Sequence, residues 1–415
     1  MLKRILFIAL TIISCTAIAQ GSLKTMFYNL LDYPEYLPGD RSIILQEILD
    51  TYEPDIFMVC ELKTPAGANE VLNIGLNDEG ENYTAAPFEY NQSGSANLQQ
   101  LLYFRSSMFS LVSTGIIETS VRDINRYVLQ LNTADQSTDP ILIHVYVTHL
   151  KSSQGGSNVN LRLDMVNEFT STLPSLDPNS FIIFAGDLNL YTSTEPAYIE
   201  LLDPTNAIVM ADPIDTPGSW NNNSDFQQVH TQSTRTSSGP FGAGAGGGMD
   251  DRFDFILISE NMKTDPKLRY VDSSYKSFGN NGNCYNKNVN DVECVGEFDV
   301  ELRNKIYAMS DHLPVVMELE TNKEIVLSGI EFDTSEALVT LKNTVVTDNL
   351  FLKISQEVTE PVSFRIYNTL GQEIMQLTTK PSEEISIDLS QLDSGIYYLK
   401  NDLPFSETTK FLKIS

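Results

Sequence analysis

Three apolar runs of strand length, each ending in a polar residue, restrict the fold of this chain more than any other feature. Ile56 to Cys60 precedes Glu61, Ile141 to Val147 precedes Thr148 and His149, and Phe181 to Ala185 precedes Gly186 and Asp187. Runs of this kind suit strands covered on both faces, so the polar chemistry they carry must sit at their ends. Between them, Arg41 to Tyr52 and Asn160 to Leu173 place apolar residues three and four apart, which predicts helices, and Pro174 stops the second. Strands alternating with helices and hairpin-like turns predict an α/β layered domain over residues 22–320.

From 321 to 340 the periodicity loosens into a linker. Alternation then resumes at Leu350, Leu352 and Ile354; at Val362, Phe364 and Ile366; at Ile385, Ile387 and Leu389; at Ile396 and Tyr398; and from Phe411 to Ile414. Short strands parted by turns at Gly371 and Gly395, and by Pro361 and Pro381, predict a small all-β sandwich over 341–415. It holds no His and no Cys, so its expected role is not catalytic. A chain of 415 residues has room for both units at roughly 150 residues per domain.

The N-terminus reads Met1-Leu2-Lys3-Arg4, then an apolar run from Ile5 to Ile13, then small residues ending Ala17-Ile18-Ala19. That is a charged region, a short apolar core and a cleavage site, so residues 1–19 are expected to be a signal peptide. The run is too short to span a bilayer. Ile12-Ile13-Ser14-Cys15 also resembles a lipoprotein signal, which would lipidate Cys15 instead; ordinary cleavage is the reading taken here. In an oxidising compartment Cys284 and Cys294, in an Asn-rich polar loop, would close a short ring, and Cys60 is expected as a buried free thiol. No Cys/His spacing for structural zinc occurs.

The 55 acidic and 27 basic side chains give a net charge of -28, which repels polyanions at long range. A stable nucleic-acid complex is therefore not expected. An enzyme that meets phosphate transiently, in a cleft where a bound cation is the largest nearby charge, remains open.

Six segments place polar residues where strands end. Asn29 sits in the apolar run Phe27 to Leu31, where a buried amide needs partners. Glu61 ends a wholly apolar strand, and a carboxylate there can ligate a hard cation. Alternation places His149 and Lys151 on one face, as two donors suited to phosphate, while His144 in mid-strand is assigned to packing or hydrogen bonding. Asp187 and Asn189 are likewise co-facial after Gly186. Arg252 and Asp254 alternate with Phe253 and Phe255, and a buried Asp254 needs a partner such as a His. Ser310-Asp311-His312 precedes the strand from Val315 to Leu319.

Taken in order, YNLL, the Glu of VCELK, THLKS, GDLN, RFDFIL and SDHLPV resemble the motif series of the endonuclease/exonuclease/phosphatase superfamily over about residues 24–320. The resemblance implies an α/β four-layer sandwich, two packed β-sheets flanked by helices, with the active site at strand ends along one edge. It implies a metal-dependent phosphodiester hydrolase in which Glu61 ligates Mg²⁺, with Mn²⁺ or Ca²⁺ as alternatives, and Asn29 contacts metal or phosphate. Asp187 and Asn189 would position water and phosphate, and Asp311 would support metal or base. His312 would be the general base oriented by Asp254, and His149 would donate to the phosphate or leaving group. Lys151 and Arg252 are candidate substrate contacts. Repair-type members carry an acidic residue where this chain has Leu31.

The tail is also similar to a known domain. FRIYNTLGQEI, IDLSQLDSGIYYL and the closing KFLKIS resemble the type IX secretion sorting domain of Bacteroidetes, which implies export to the surface or beyond and contact with that secretion machinery. For the substrate, the lone Trp220 does not match the inositol phosphatase pattern, and the 277–296 loop lacks the aromatic hairpin of sphingomyelinases. The stretch Gly239 to Gly248 lacks the Gly-Lys-Ser/Thr of a phosphate-cradling loop and reads as a mobile loop beside the cleft. An endonuclease that takes DNA or RNA as a transient substrate leads. A phosphoesterase acting on another ester, or an inactive surface binding protein, is the alternative.

Overall fold

The polar-ended runs form neighbouring strands, as seen in a computed structural model that describes residues 21–78, 80, 82–327, 339–343, 345–354, 361–369, 371–380, 384–401 and 409–414. The signal peptide reading, with its cut after Ala19 and its alternative at Cys15, lies outside the described residues, as does 328–338 of the linker. The chain divides into two units, at Ser328 and Gly329.

In chain order the first unit runs β1 (Gly21–Tyr33), α1 (Arg41–Tyr52), β2 (Ile56–Leu62), α2 (Pro65–Glu70), β3 (Tyr83–Ala85), β4 (Gln99–Arg105), β5 (Phe109–Ile117) and β6 (Ile124–Leu131). It continues through β7 (Ile141–His149), α3 (Gly156–Thr172), β8 (Phe181–Asp187), α4 (Pro196–Leu201), β9 (Met210–Ala211) and β10 (Asp254–Ser259). It closes with β11 (Arg269–Tyr270), β12 (Lys276–Ser277), α5 (Val300–Met309) and β13 (Val315–Thr321). One sheet has the order β11-β13-β1-β2-β4-β3 with β12 on β13, and the other β5-β6-β7-β8-β10-β9.

Alternate residues of a single strand enter different cores, which is why these strands read as continuous apolar runs. Ile183 and Ala185 of β8 join the large core that also holds Met26 and Val59 of the facing sheet. Ile182 and Phe184 face the other way, into a second core with Met165 and Phe169 of α3 and Leu201 of α4. On the far side, Leu45 and Ile48 of α1 and Ile306 and Met309 of α5 cover the first sheet. The result is the α/β four-layer sandwich. Gly186 is obligatory in β8, because a Cβ there would lie 2.3 Å from the Thr148 carbonyl oxygen.

Several boundaries differ from expectation. Helix α3 starts at Gly156 rather than Asn160, since Asn158 and Val159 donate backbone N–H groups to the Gly155 carbonyl and add a first turn. The segment expected to be linker remains attached to the first unit for some residues past β13: Val326 donates to the Asn132 carbonyl, and Ile325 packs against the large core.

The second unit contains β14 (Val339–Leu341), β15 (Val345–Val346), β16 (Asn349–Ile354), β17 (Val362–Asn368), β18 (Glu373–Thr379), β19 (Glu384–Asp388), β20 (Gly395–Asn401) and β21 (Thr409–Lys413). These form sheets ordered β14-β16-β19 and β15-β21-β20-β17-β18. Leu350, Leu352, Ile354, Val362, Phe364 and Ile366 all point into its core, as the alternation predicts. In β20 the phase is reversed: Tyr397 and Leu399 are buried, and Ile396 is exposed. Ile396-Tyr397-Tyr398-Leu399 is apolar at every position, so alternation cannot choose a face. Tyr397 settles it by stacking on Phe411 at 5.8 Å and donating its hydroxyl to the Asp393 carbonyl.

Candidate active site

Strand register assembles the site. Asn29 lies opposite Cys60 in the parallel pair β1–β2, which puts it beside Glu61. His149 lies opposite Asp187 in the parallel pair β7–β8, and Asp187 opposite Asp254 in the antiparallel pair β8–β10. β13 pairs with β1 from Val315, which brings the preceding Ser310-Asp311-His312 to the same edge. Ser310 ties the two together: its hydroxyl donates to the Asn29 carbonyl at 2.7 Å and accepts from the His312 backbone N–H at 3.1 Å.

The backbone is strained where the carboxylates turn inward. Leu31, Asp32, Glu61 and Asn189 have φ of 47°, 49°, 57° and 50°. That left-handed region costs a non-glycine residue about 1–3 kcal/mol and persists only where the surroundings hold it. Here Glu61 Oε2 accepts from the Asp32 backbone N–H at 3.0 Å, and Asp187 Oδ1 accepts from the Asn189 backbone N–H at 3.1 Å.

The side-chain network is dense. Asn29 donates its amide to Glu61 Oε1 at 2.9 Å and Asp187 Oδ2 at 3.1 Å, so both hydrogens are used. His312 Nδ1 lies 2.7 Å from Asp254 Oδ2, and because the carboxylate only accepts, Nδ1 carries the proton. His312 Nε2 faces Asp187 Oδ2 at 3.7 Å. His149 places Nε2 3.5 Å from Asp187 Oδ2 and Nδ1 3.8 Å from Glu61 Oε1. Arg122 braces this strand end by donating Nε to the His149 carbonyl at 2.7 Å, with a second bond to the Leu150 carbonyl.

Burial of so many acidic groups perturbs them. Desolvation pushes Asp187 up to about 8 and raises Glu61, and neighbouring carboxylates add to both shifts. Desolvation holds His149 well below the ordinary imidazole range, helped by the Arg122 charge. For His312 burial acts downward too, but the Asp254, Asp311 and Asp187 carboxylates outweigh it and hold the ring well above that range.

A divalent cation fits this donor set. Glu61, His149 and Asp187 offer ligand atoms within 4.8 Å of one another, as do Asp187, Asp254 and His312. Buried atoms Asp311 Oδ1, Asp254 Oδ1 and His149 Nδ1 have no hydrogen-bond partner among the described residues, which leaves donor capacity at the centre of the site. Asp311, expected beside Glu61 as a second metal residue, lies outside both groups. Its Oδ2 is taken by the Gln232 amide at 3.1 Å and the Ala245 backbone N–H at 2.6 Å. The glycine-rich loop does border the site, and it is tethered there: Ser233 donates to the Ala245 carbonyl, and the Arg235 guanidinium lies 4.2 Å over the Phe241 ring.

Arg252 corrects the sequence expectation of a substrate contact. It precedes β10 and turns to the opposite side from Asp254, where it forms a buried two-pronged pair with Asp212 at 2.8 and 3.0 Å and lies 4.2 Å over the Phe255 ring. Arg252→Met should therefore act on stability: stranding Asp212 in the interior is expected to cost about 3–5 kcal/mol by denaturant unfolding. The kcat of whatever protein remains folded should be unchanged. Lys151 donates to the Ser152 carbonyl at 2.8 Å, and Asn189 donates its amide to the Leu150 carbonyl at 3.4 Å. Gln232 and Arg122 are site residues with no sign in the sequence, and Ser310 has a role there beyond its place in the polar trio; a polar Thr231-Gln232 pair amid turn residues carries no periodic signal.

The predicted disulfide joins Cys284 and Cys294, and Cys60 is buried and free.

Comparison with known proteins finds a family match in the tail: residues 346–414 match the secretion system C-terminal sorting domain. This domain marks proteins exported by type IX secretion to the cell surface or outside, so the chain is a secreted or surface protein. Among the described residues no helix is long and apolar enough to cross a membrane. No curated protein matches the chain. Among solved structures, D. rerio TDP2 complexed with single strand DNA product is 17% identical, with 72% of this chain and 99% of that chain covered at a TM-score of 0.47. The human Nocturnin catalytic domain with bound sulfate anion is 16% identical over 72% and 97%, at 0.44. An endonuclease/exonuclease/phosphatase from Beutenbergia cavernae DSM 12333 is 13% identical over 94% and 99%, at 0.40.

Proposed function

We propose that the first unit is a metal-dependent phosphodiester hydrolase that uses His312 as general base and acts on nucleic acid as an endonuclease. The observation that supports this most is the 2.7 Å His312–Asp254 pair, whose other ring nitrogen lies 3.7 Å from Asp187 Oδ2, beside the Glu61–His149–Asp187 group. A divalent cation held by Glu61 and Asp187, with His149 beside them, would neutralise phosphate charge. The chain's own residues do the rest. His312 Nε2 takes a proton from water as the water oxygen attacks phosphorus, and Asp254 stabilises the imidazolium that forms. The ester P–O bond breaks with its electrons on the departing oxygen, which takes a proton from solvent. Asn29 holds Glu61 and Asp187 in place, and Asn189 and Lys151 would exchange their carbonyl partners for the phosphate as donors.

The test is hydrolysis of bis-p-nitrophenyl phosphate by the purified mature chain with Mg²⁺ and with EDTA, followed by single- and double-stranded DNA, RNA and p-nitrophenyl phosphate. No metal-dependent turnover on any of them would mean a binding protein. A second reading, a phosphoesterase for small esters, is favoured by the charge: Lys63 is paired with Asp32 and Glu35, Arg122 with carbonyls, and the chain carries -28. Turnover of the small esters without DNA or RNA would select it.

No residue of the second unit is assigned to this chemistry. A chain ending at Leu327, which keeps the Ile325 contact, is expected to retain full kcat and to stay inside the native cell. Activity lost from a folded chain of that length would overturn the assignment.

A further inference from the structure

Gln232 stands at the centre of the site. Its amide nitrogen lies 2.6 Å from His312 Nε2 and 3.1 Å from Asp311 Oδ2. In the neutral ring that serves as the base, with its proton on Nδ1 facing Asp254, Nε2 is a bare acceptor, and a carboxylate oxygen is an acceptor too. One amide NH₂ group therefore serves two acceptors, and that fixes which end of the amide faces the base.

The backbone of Gln232 is clamped from both sides. It pairs with Asp251 on one side and with His312 on the other. The preceding Thr231 hydroxyl accepts from the backbone N–H groups of Phe253 and Asp254, and the Thr231 carbonyl accepts from Leu313 at 2.7 Å. The Thr231–Gln232 segment is thus the wedge that joins the Asp254 segment to the His312 segment. An unbranched, part-exposed side chain on so fixed a backbone can shift its amide while its base stays put.

A base whose lone pair already accepts from an amide cannot take a proton from water in that state, so water must come between them. Building on the phosphodiesterase reading, we propose that Gln232 positions the attacking water. Its amide withdraws from His312 Nε2 as water enters, stays in reach through Asp311, and donates to the water oxygen while the water donates to Nε2. The water's proton then passes to Nε2, the new P–O bond forms, and the ester P–O bond breaks onto the departing oxygen, which takes a proton from solvent.

The test compares the full mature chain with Gln232→Met and Gln232→Glu on bis-p-nitrophenyl phosphate with Mg²⁺, in water containing methanol. Both variants keep the length of the side chain and remove the N–H donor, so either one serves if the other fails to fold. The expected loss is about ten-fold in kcat, the weight of one hydrogen bond, with KM within about two-fold of wild type. Because the methyl group of methanol crowds the amide where water does not, methanolysis depends on the amide less, and the ratio of methyl p-nitrophenyl phosphate to hydrolysis product should rise at least about three-fold in the folded variants. An unchanged kcat, a rise in KM alone, or equal losses of both reactions at a constant product ratio would each overturn the inference and leave the phosphodiesterase reading standing. A wild-type protein without metal-dependent turnover overturns that reading and the inference with it.

Discussion

His312→Ala is expected to lower kcat by about 10²–10⁴, the usual worth of a positioned general base, with little change in KM. Asp254→Asn should approach that loss. It leaves the shape of the pocket intact but removes the carboxylate 2.7 Å from Nδ1 that fixes the tautomer and stabilises the imidazolium. The two residues act as one device, so the double variant should be scarcely worse than His312→Ala alone. Steady-state kinetics on the four proteins of the cycle decide this. Losses that multiply would show that the residues work independently, and Asp254 could not then be the orienting group. Circular dichroism should stay near wild type in all four, and so should metal affinity at the Glu61–His149–Asp187 group, to which neither residue belongs.

Removing the divalent ion with EDTA is expected to abolish turnover, and Mg²⁺ or Mn²⁺ to restore it. Glu61→Gln should raise the Mg²⁺ concentration needed for half-maximal activity, with excess metal recovering much of the rate. Asp187→Asn should not be recoverable in this way, since Asp187 belongs to both ligand groups and faces His312. The same substitution should stabilise the metal-free protein. Burial pushes Asp187 up to about 8, against about 3.9 for an exposed carboxyl, so between those values the folded chain keeps a proton that the unfolded chain has lost. This group's effect on stability therefore worsens as the pH rises from about 4 to about 8. Calorimetry of the metal-free proteins should show Asp187→Asn melting above wild type at pH 8, by roughly 2–4 °C per kcal/mol relieved, and the gap closing toward pH 4. A gap independent of pH, or of opposite sign, would show that Asp187 is not a charge the empty site struggles to hold.

What the sequence determined by itself was local. The runs ending at Glu61, His149 and Asp187 have the length and continuity of strands covered on both faces. Their last residues were thereby marked as the polar edge, and Arg41 to Tyr52 was legible as a helix to the residue. The Asp254–His312 pairing could be expected from the need of a buried carboxylate for a partner, although 58 positions separate them. The tertiary structure decided what depended on neighbours remote in the chain. Arg252 has the residue type of a phosphate contact, and only the nearness of Asp212 and Phe255 turns it into an interior ion pair. Asp311 borders the base, and only the approach of Ala245 and Gln232 occupies its Oδ2. In β20 four consecutive apolar residues gave the period-two pattern nothing to act on, so contact between Tyr397 and Phe411 chose the buried face. Gln232 was invisible for the same reason: a side chain's burial follows the periodicity of its own strand, but its partners are set by the packing of other strands against it.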